Sequence, residues 1–199
     1  MVRREKKGDN DRSIRQKLLT LTSLVLLLAV LTSCGKRGGD PLSYRLTAFT
    51  ADITGSILYP SGEEMAFSAT VVMESPTDEG CREFSVLFHS PDGLAGMRTR
   101  RLRDGSALVS RGGVECPVSD GGVMKNIIKI AEMLDPSEEI LRISSISGRD
   151  AGLPQYDRLT FIETATVSIA VDPHTSFPVK ARTSDGEAEI SFDVVTAKT

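Results

Sequence analysis

The side chains that could do chemistry in this sequence are three cysteines, two histidines and 27 acidic residues. The chain has no HExxH, no Gly-x-Ser-x-Gly, no Gly-rich phosphate loop and no CxxC motif. His89 and His174 stand beside Ser, Pro and Asp residues typical of turns, which favours surface positions over acid–base or metal-binding roles. Two Glu-Glu pairs, at 63–64 and 138–139, lie next to turns or an element boundary and are typical of solvated surface. We therefore expect no enzyme, no metal site and no cofactor.

Residues 1–33 have the pattern of a secretion signal. Residues 1–17 hold seven Lys and Arg residues against three acidic ones, and residues 18–33 carry no charge. The positive end stays in the cytoplasm while the apolar run enters the membrane. That run is 16 residues long, whereas a membrane-spanning helix needs roughly 20. A cleaved signal therefore fits better than a permanent anchor.

The apolar run ends in Leu31-Thr32-Ser33-Cys34, which resembles the lipobox of bacterial lipoproteins. The resemblance implies that Cys34 is lipidated with diacylglycerol and an acyl chain such as palmitate. Such a protein is bound to the extracytoplasmic side of a cell membrane. A signal with a chance cysteine, or an uncleaved anchor, is the alternative. Residues 34–41 are rich in Gly and charge and predict a flexible tether, so we expect one domain over residues 42–196.

The other two cysteines form an even pair if Cys34 is acylated. Cys81 and Cys116 could form a disulfide, because exported proteins meet oxidising compartments. The bridge would close a loop of about 36 residues and contribute roughly 3–4 kcal/mol in the chain-entropy model. Two separate buried thiols are the alternative.

The charge balance argues against a nucleic-acid partner. The signal contains seven of the 24 Lys and Arg residues and three of the 27 Asp and Glu residues, so the remaining chain carries a net charge of about −7. Nucleic-acid binding requires basic patches that neutralise phosphates. One local exception is a strand with Arg98, Arg100, Arg101 and Arg103. Charge on both sides of a strand predicts an edge strand, or a surface for anionic headgroups or an acidic partner.

Short alternating apolar runs bounded by turn residues predict a mainly β (α+β) domain of about ten antiparallel strands. The fold is a curved sheet or open barrel rather than a parallel α/β fold. The strand around 84–88 has a continuous apolar run and is expected to be buried on both sides. The predicted strands are 44–58, 65–73, 84–88, 97–103, 107–109, 114–118, 140–146, 159–162, 167–171, 177–183 and 188–194.

One segment has helical spacing instead. Apolar residues recur at i, i+4, i+7 and i+11 from Val123 to Leu134, and Asp135-Pro136 ends the pattern. The helix must lie against an apolar surface, which we expect to be the sheet. Its apolar face could line a hydrophobic ligand site together with strand residues, or these side chains could simply form the core. The candidate lining residues are Phe67, Val71, Phe88, Val123, Met124, Ile127, Ile128, Ala131 and Leu134.

The C-terminal hairpins carry a more specific pattern. A strand at 167–171 ends in Asp172, Phe177-Pro178-Val179-Lys180 begins the next, and Asp185-Gly186-Glu187 precedes the last. This order resembles the closing hairpins of the LolA/LolB-like lipoprotein-carrier family. The resemblance implies an open half-barrel with one or more helices on its concave face. The chain departs from that pattern in having no Trp, and in Ile169-Ala170-Val171 where relatives often place a bulky aromatic.

Two functions are compatible with these observations. The first is a membrane-anchored binding protein that holds a lipid acyl chain or another hydrophobic ligand, which predicts an apolar cavity. The second is a non-catalytic scaffold that binds a cell-envelope protein, such as the lipoproteins of spore-forming bacteria that hold a cell-wall amidase. A scaffold predicts a filled core and an exposed apolar or edge-strand surface.

Overall fold

The computed structural model describes residues 40–78, 81–118, 123–184 and 188–199. The predicted signal, the lipobox and most of the tether lie outside the described residues. Within these ranges no helix combines the length and the hydropathy needed to cross a membrane. A short 3-10 helix, Ser43–Leu46, precedes the strands, and one α-helix, α1, spans Val123–Glu132. The strands are β1 Phe49–Leu58, β2 Glu64–Met73, β3 Phe84–Ser90, β4 Arg98–Arg101, β5 Ala107–Arg111, β6 Val114–Pro117, β7 Arg142–Ser147, β8 Arg158–Glu163, β9 Val167–Val171, β10 Pro178–Ser184 and β11 Glu189–Lys198.

In the described part of the chain, eleven strands form one antiparallel sheet in the order β6-β5-β4-β3-β2-β1-β11-β10-β9-β8-β7. The sheet consists of two meanders, β1 to β6 and β7 to β11, which the pairing of β1 with β11 joins at the centre. β6 and β7 each have one neighbour, so the curved sheet does not close. This confirms the predicted class, a mainly β open half-barrel with a helix packed on it.

The central pairing depends on one close approach of two backbones. Gly55 of β1 lies opposite Phe192 of β11. A Cβ atom at position 55 would lie 2.1 Å from the carbonyl oxygen of Ser191, far inside van der Waals contact. Glycine is therefore needed where the two meanders meet.

The strands bury one face, because apolar side chains alternate along them. In β3, Phe84, Val86 and Phe88 are buried while Leu87 is only half-buried. The expectation that this strand is buried on both sides is therefore wrong. The predicted strand from residue 44 is also too long, since residues 43–46 form the 3-10 helix.

Helix α1 packs its apolar side on β3 and β4, within the main core. Ile127, Ile130 and Ala131 are fully buried, and Met133 and Leu134 continue the buried stripe beyond the helix end. The predicted end at 134 is thus two residues late, because the last apolar residues of the pattern belong to a turn. A smaller core of Leu159, Ala170 and Val179 lies apart from this cluster.

Candidate functional site

The structure brings six of the nine predicted lining residues together in the hydrophobic core. Ile128 is half-buried and packs against this core, whereas the side chains of Val123 and Met124 are outside the described part of the chain. The rings of Phe67 and Phe88 meet edge to face, with centroids 6.1 Å apart. Neither of two grooves on the described surface is lined by any of the predicted residues. Six of them are fully buried in one cluster: Phe67, Val71, Phe88, Ile127, Ala131 and Leu134.

The first groove, called the helix groove below, opens between α1 and the hairpin that joins β8 to β9. Its volume is about 410 Å³. Met133 and Val167, both members of the core, line its inner end. Lys125 and Lys129 line its exposed side, one helical turn apart. Sequence reasoning missed this groove because the two lysines fit the solvated face of an amphipathic helix equally well.

Glu138 fixes the shape of the helix groove. Its carboxylate accepts hydrogen bonds from the Thr164 hydroxyl at 2.6 Å, from the Thr166 hydroxyl at 2.7 Å and from the Thr166 N–H at 3.2 Å. These bonds from Thr164 and Thr166 hold the pKa of Glu138 below its usual value. The segment that follows α1 is thereby fastened to the β8–β9 hairpin.

The second groove, the edge groove, lies on the other side of the same hairpin. Its volume is about 440 Å³, and it shares Thr166 and Val167 with the helix groove. Leu141 and Arg142 line it from the β7 side, and Arg182 lines it from β10. Its other lining residues are mostly polar, among them Glu163, Ser168 and Thr183.

The arginine-rich strand is not an edge, because β4 lies between β3 and β5. An interior strand can carry these charges because its arginines divide between the two faces of the sheet. Arg98 and Arg100 are exposed, whereas Arg101 projects toward the helix, with its guanidinium 4.8 Å from the ring centroid of Phe84. Arg101 also donates to the Glu132 carboxylate at 2.6 Å, so its charge is paired near the core edge.

A second polar attachment lies just beyond the C-terminal end of α1. The guanidinium of Arg82 is nearly buried and contacts the Asp135 carboxylate at 3.2 Å. It donates as well to the backbone carbonyls of Arg45, Thr47 and Glu74. The Arg45 side chain also pairs with Asp135, at 2.5 Å. This cluster ties the end of the helix to the 3-10 helix and to the sheet.

Two buried hydroxyls, Thr99 Oγ1 and Tyr44 Oη, have no hydrogen-bond partner among the described residues. Thr99 lies on β4 opposite the buried Val86, so its side chain faces the core under α1. Burial raises the pKa of Tyr44 well above its usual value. An unpaired buried hydroxyl costs about 1–3 kcal/mol. A ligand carbonyl that accepted a hydrogen bond from the Thr99 hydroxyl would therefore remove this free-energy cost.

The predicted bridge between Cys81 and Cys116 is absent, and both thiols are free and exposed. The Cys81 N–H donates to the Arg103 carbonyl, which places it in line with β3. Cys116 lies in β6, with β4 and β5 in between. Three strand spacings separate the residues by roughly 14 Å, whereas a disulfide needs Cα atoms closer than about 7 Å.

The histidines lie outside both grooves. His89 is on the exposed face of β3, where its Nε2 is 2.8 Å from the Thr70 hydroxyl, which in turn donates to Asp52 at 2.7 Å. His174 is exposed in the turn after β9. Among the described residues, no three His, Cys, Asp or Glu side chains are arranged to hold a metal ion.

A comparison with solved structures finds similar proteins at low sequence identity. A LolA superfamily protein from Nitrosomonas europaea is 12% identical over 78% of this chain and 87% of its own, with a TM-score of 0.40. A putative outer membrane lipoprotein-sorting protein domain from Vibrio parahaemolyticus is 6% identical over 77% and 85%, with a TM-score of 0.38. An uncharacterized conserved protein from Thermus thermophilus is 17% identical over 79% and 81%, with a TM-score of 0.43. No family model and no curated protein matches the chain. These likenesses concern the fold alone.

Proposed function

We propose that this protein is an exported lipoprotein, anchored through Cys34 on the extracytoplasmic side of a membrane, whose domain binds a hydrophobic ligand such as a lipid acyl chain. It acts by binding rather than by catalysis. The observation that carries the proposal is the helix groove. Its inner end consists of core side chains, Met133 and Val167, and its exposed side carries two lysines.

This arrangement suits an amphiphile. A volume of about 410 Å³ is within the range of small-molecule sites, roughly 300–1,000 Å³. An acyl chain would be buried from water against Met133, whose unbranched side chain adapts easily to irregular ligands. A polar headgroup would remain at the surface, where Lys125 and Lys129 lie beside Glu132 and Glu138.

A hydrophobic ligand that extends past the helix groove has to displace part of the core, and α1 is the element best placed to move. A helix of ten residues is too short to be stable without its packing partners. Its end is held by the Arg101–Glu132 and Arg82–Asp135 contacts. A shift of α1 away from β3 and β4 would open the space between helix and sheet, where Thr99 offers a donor.

The scaffold that positions a cell-envelope enzyme, such as a spore cell-wall amidase, is the second candidate function. This alternative is argued from the exposed apolar side chains along the β7 edge of the sheet. A scaffold needs no cavity and no helix movement. The two candidates therefore differ in whether lipid binds at all.

Native mass spectrometry tests the proposal. The compact unit Gly39–Thr199 contains the complete described core, so a chain starting at residue 36 is expressed, purified gently and sprayed. We expect an adduct of lipid mass that survives mild activation. Met133→Gln, which places an amide at the apolar inner end of the helix groove, should reduce the adduct at least about tenfold.

Leu58→Gln is the matched control, because Leu58 is exposed and lines neither groove. It should retain the adduct. A protein mass without adduct, unchanged after incubation with vesicles of phosphatidylethanolamine and phosphatidylglycerol, would contradict lipid binding. The scaffold would then be the better account. Circular dichroism of both variants separates loss of ligand from loss of fold.

A further inference from the structure

The two open edges of the sheet differ in how they are protected. β6 has four residues and contains Glu115 and Pro117, features that discourage pairing with another strand. β7 has six residues, with no proline and no charge after Arg142. Three of the exposed large apolar side chains belong to this edge: Leu141 at 66%, Ile143 at 51% and Ile146 at 38%. An edge strand that carries neither proline nor charge over residues 143–147 is open to pairing with another chain.

The backbone groups that β7 offers can be deduced from its pairing with β8. The Gly148 N–H donates to the Asp157 carbonyl, and the register of the two strands continues this pairing. Because alternate residues of an antiparallel strand face the same neighbour, residues 142, 144, 146 and 148 bond to β8. Ile143, Ser145 and Ser147 therefore direct their N–H and C=O groups to the open side.

We propose that β7 pairs antiparallel with β7 of a second copy of this chain, around a two-fold axis at Ser145. This register places Ser145 opposite its own copy and Ile143 opposite the partner's Ser147. The three outward-facing residues 143, 145 and 147 therefore lie opposite residues 147, 145 and 143 of the second copy. Each outward N–H then meets a C=O of the other chain. The two curved sheets become one sheet across the axis.

The charge pattern favours a second copy over a charged partner segment. Positions 143–148 hold Ile, Ser and Gly alone, so no like charges meet across the axis. Arg142 falls opposite the partner's Gly148, and its guanidinium is already 4.0 Å from Glu163. On the opposite face, Ile146 lies diagonal to the partner's Ile146, within reach for apolar contact. The inference is independent of lipid binding, since β7 does not line the helix groove.

Charge substitutions at Ser145 test the axis directly. The side chain of Ser145 is exposed and its backbone does not bond to β8, so Ser145→Asp and Ser145→Lys should fold as the parent does. Sedimentation equilibrium is run with reductant, because Cys81 and Cys116 are exposed. The concentration series extends to roughly 0.5 mM, since so small an interface is expected to have a Kd in the micromolar range or above.

We expect the parent chain to reach the mass of a dimer, each variant alone to remain a monomer, and an equal mixture of the two variants to form a dimer again. Glu115→Lys on the β6 edge is the matched control and should dimerise like the parent. A parent that stays monomeric throughout would leave the edge to another partner and overturn the proposal. A dimer that persists in both variants, or a mixture of folded variants that stays monomeric, would overturn it as well.

Discussion

Arg82 is the charged residue on which the structure depends most. Its side chain is 4% exposed, it pairs with Asp135, and it donates to backbone carbonyls from three separate positions. A guanidinium supplies several donors in fixed directions, so one side chain can satisfy all of these acceptors. Removing it would leave buried carbonyls without partners. Arg82 therefore holds the 3-10 helix, the start of β3 and the end of α1 in one arrangement.

We expect Arg82→Met to lower the free energy of unfolding by about 3 kcal/mol, because a buried ion pair is broken and its acceptors lose their donors. Urea denaturation followed by circular dichroism measures the change. Arg103→Met is the matched control: Arg103 is exposed and pairs with Glu83 at 2.7 Å, so its loss should cost less than about 1 kcal/mol. Equal losses in the two variants would contradict the role assigned to Arg82.

At this scale the sequence predicts little of the site. The type of Arg82 favours a solvated position, and its burial depends on carbonyls more than 30 residues away along the chain. The expected Cys81–Cys116 bridge fails for the same reason: spacing in sequence does not show that two strands separate the residues. The burial of the apolar residues was easier to predict, since a periodic pattern specifies which side chains are removed from water. It does not specify whether those side chains enclose a cavity.

Helix α1 is the element whose movement the proposed function requires. The Arg101–Glu132 contact lies at its C-terminal end, with Arg101 largely buried and Glu132 partly exposed. We expect Glu132→Gln to speed amide hydrogen exchange in α1 about fivefold, which corresponds to about 1 kcal/mol for a partly exposed ion pair. Exchange in β1 should not change. Glu115→Gln is the control, because the Glu115–Arg100 ion pair is long, at 4.0 Å, and both side chains are half exposed.

An unchanged exchange rate in α1 would show that packing alone holds the helix.

The helix itself was predictable from its apolar spacing, and β2 was predictable from strict alternation of apolar residues. β4 was not, because its charges suggested an edge while its neighbours place it inside the sheet. Alternation assigns a residue to a face, whereas the order of strands depends on contacts that local pattern does not contain.

At the scale of the whole molecule, the open curved sheet follows from many short strands joined by turns. Local sequence pattern could not predict the pairing of the two meanders through β1 and β11, since these strands are more than 130 residues apart. The anchor remains a prediction from residues 31–34. If Cys34 is lipidated as proposed, lipid rather than charge would hold the acidic domain at a membrane surface.

Replacing each cysteine in turn tests the anchor. In cells fed labelled palmitate, the parent should incorporate label and sediment with membranes, whereas Cys34→Ser should lose the label, because no thiol remains in the Leu-Thr-Ser-Cys segment to accept a lipid. A single hydrocarbon chain gives only reversible membrane binding, but several chains on one residue hold a protein stably. Cys81→Ser and Cys116→Ser should keep both label and membrane association, since these thiols are exposed on the folded domain. Label that survives in Cys34→Ser but disappears in either control would move the anchor to the domain and reverse the orientation proposed for the protein.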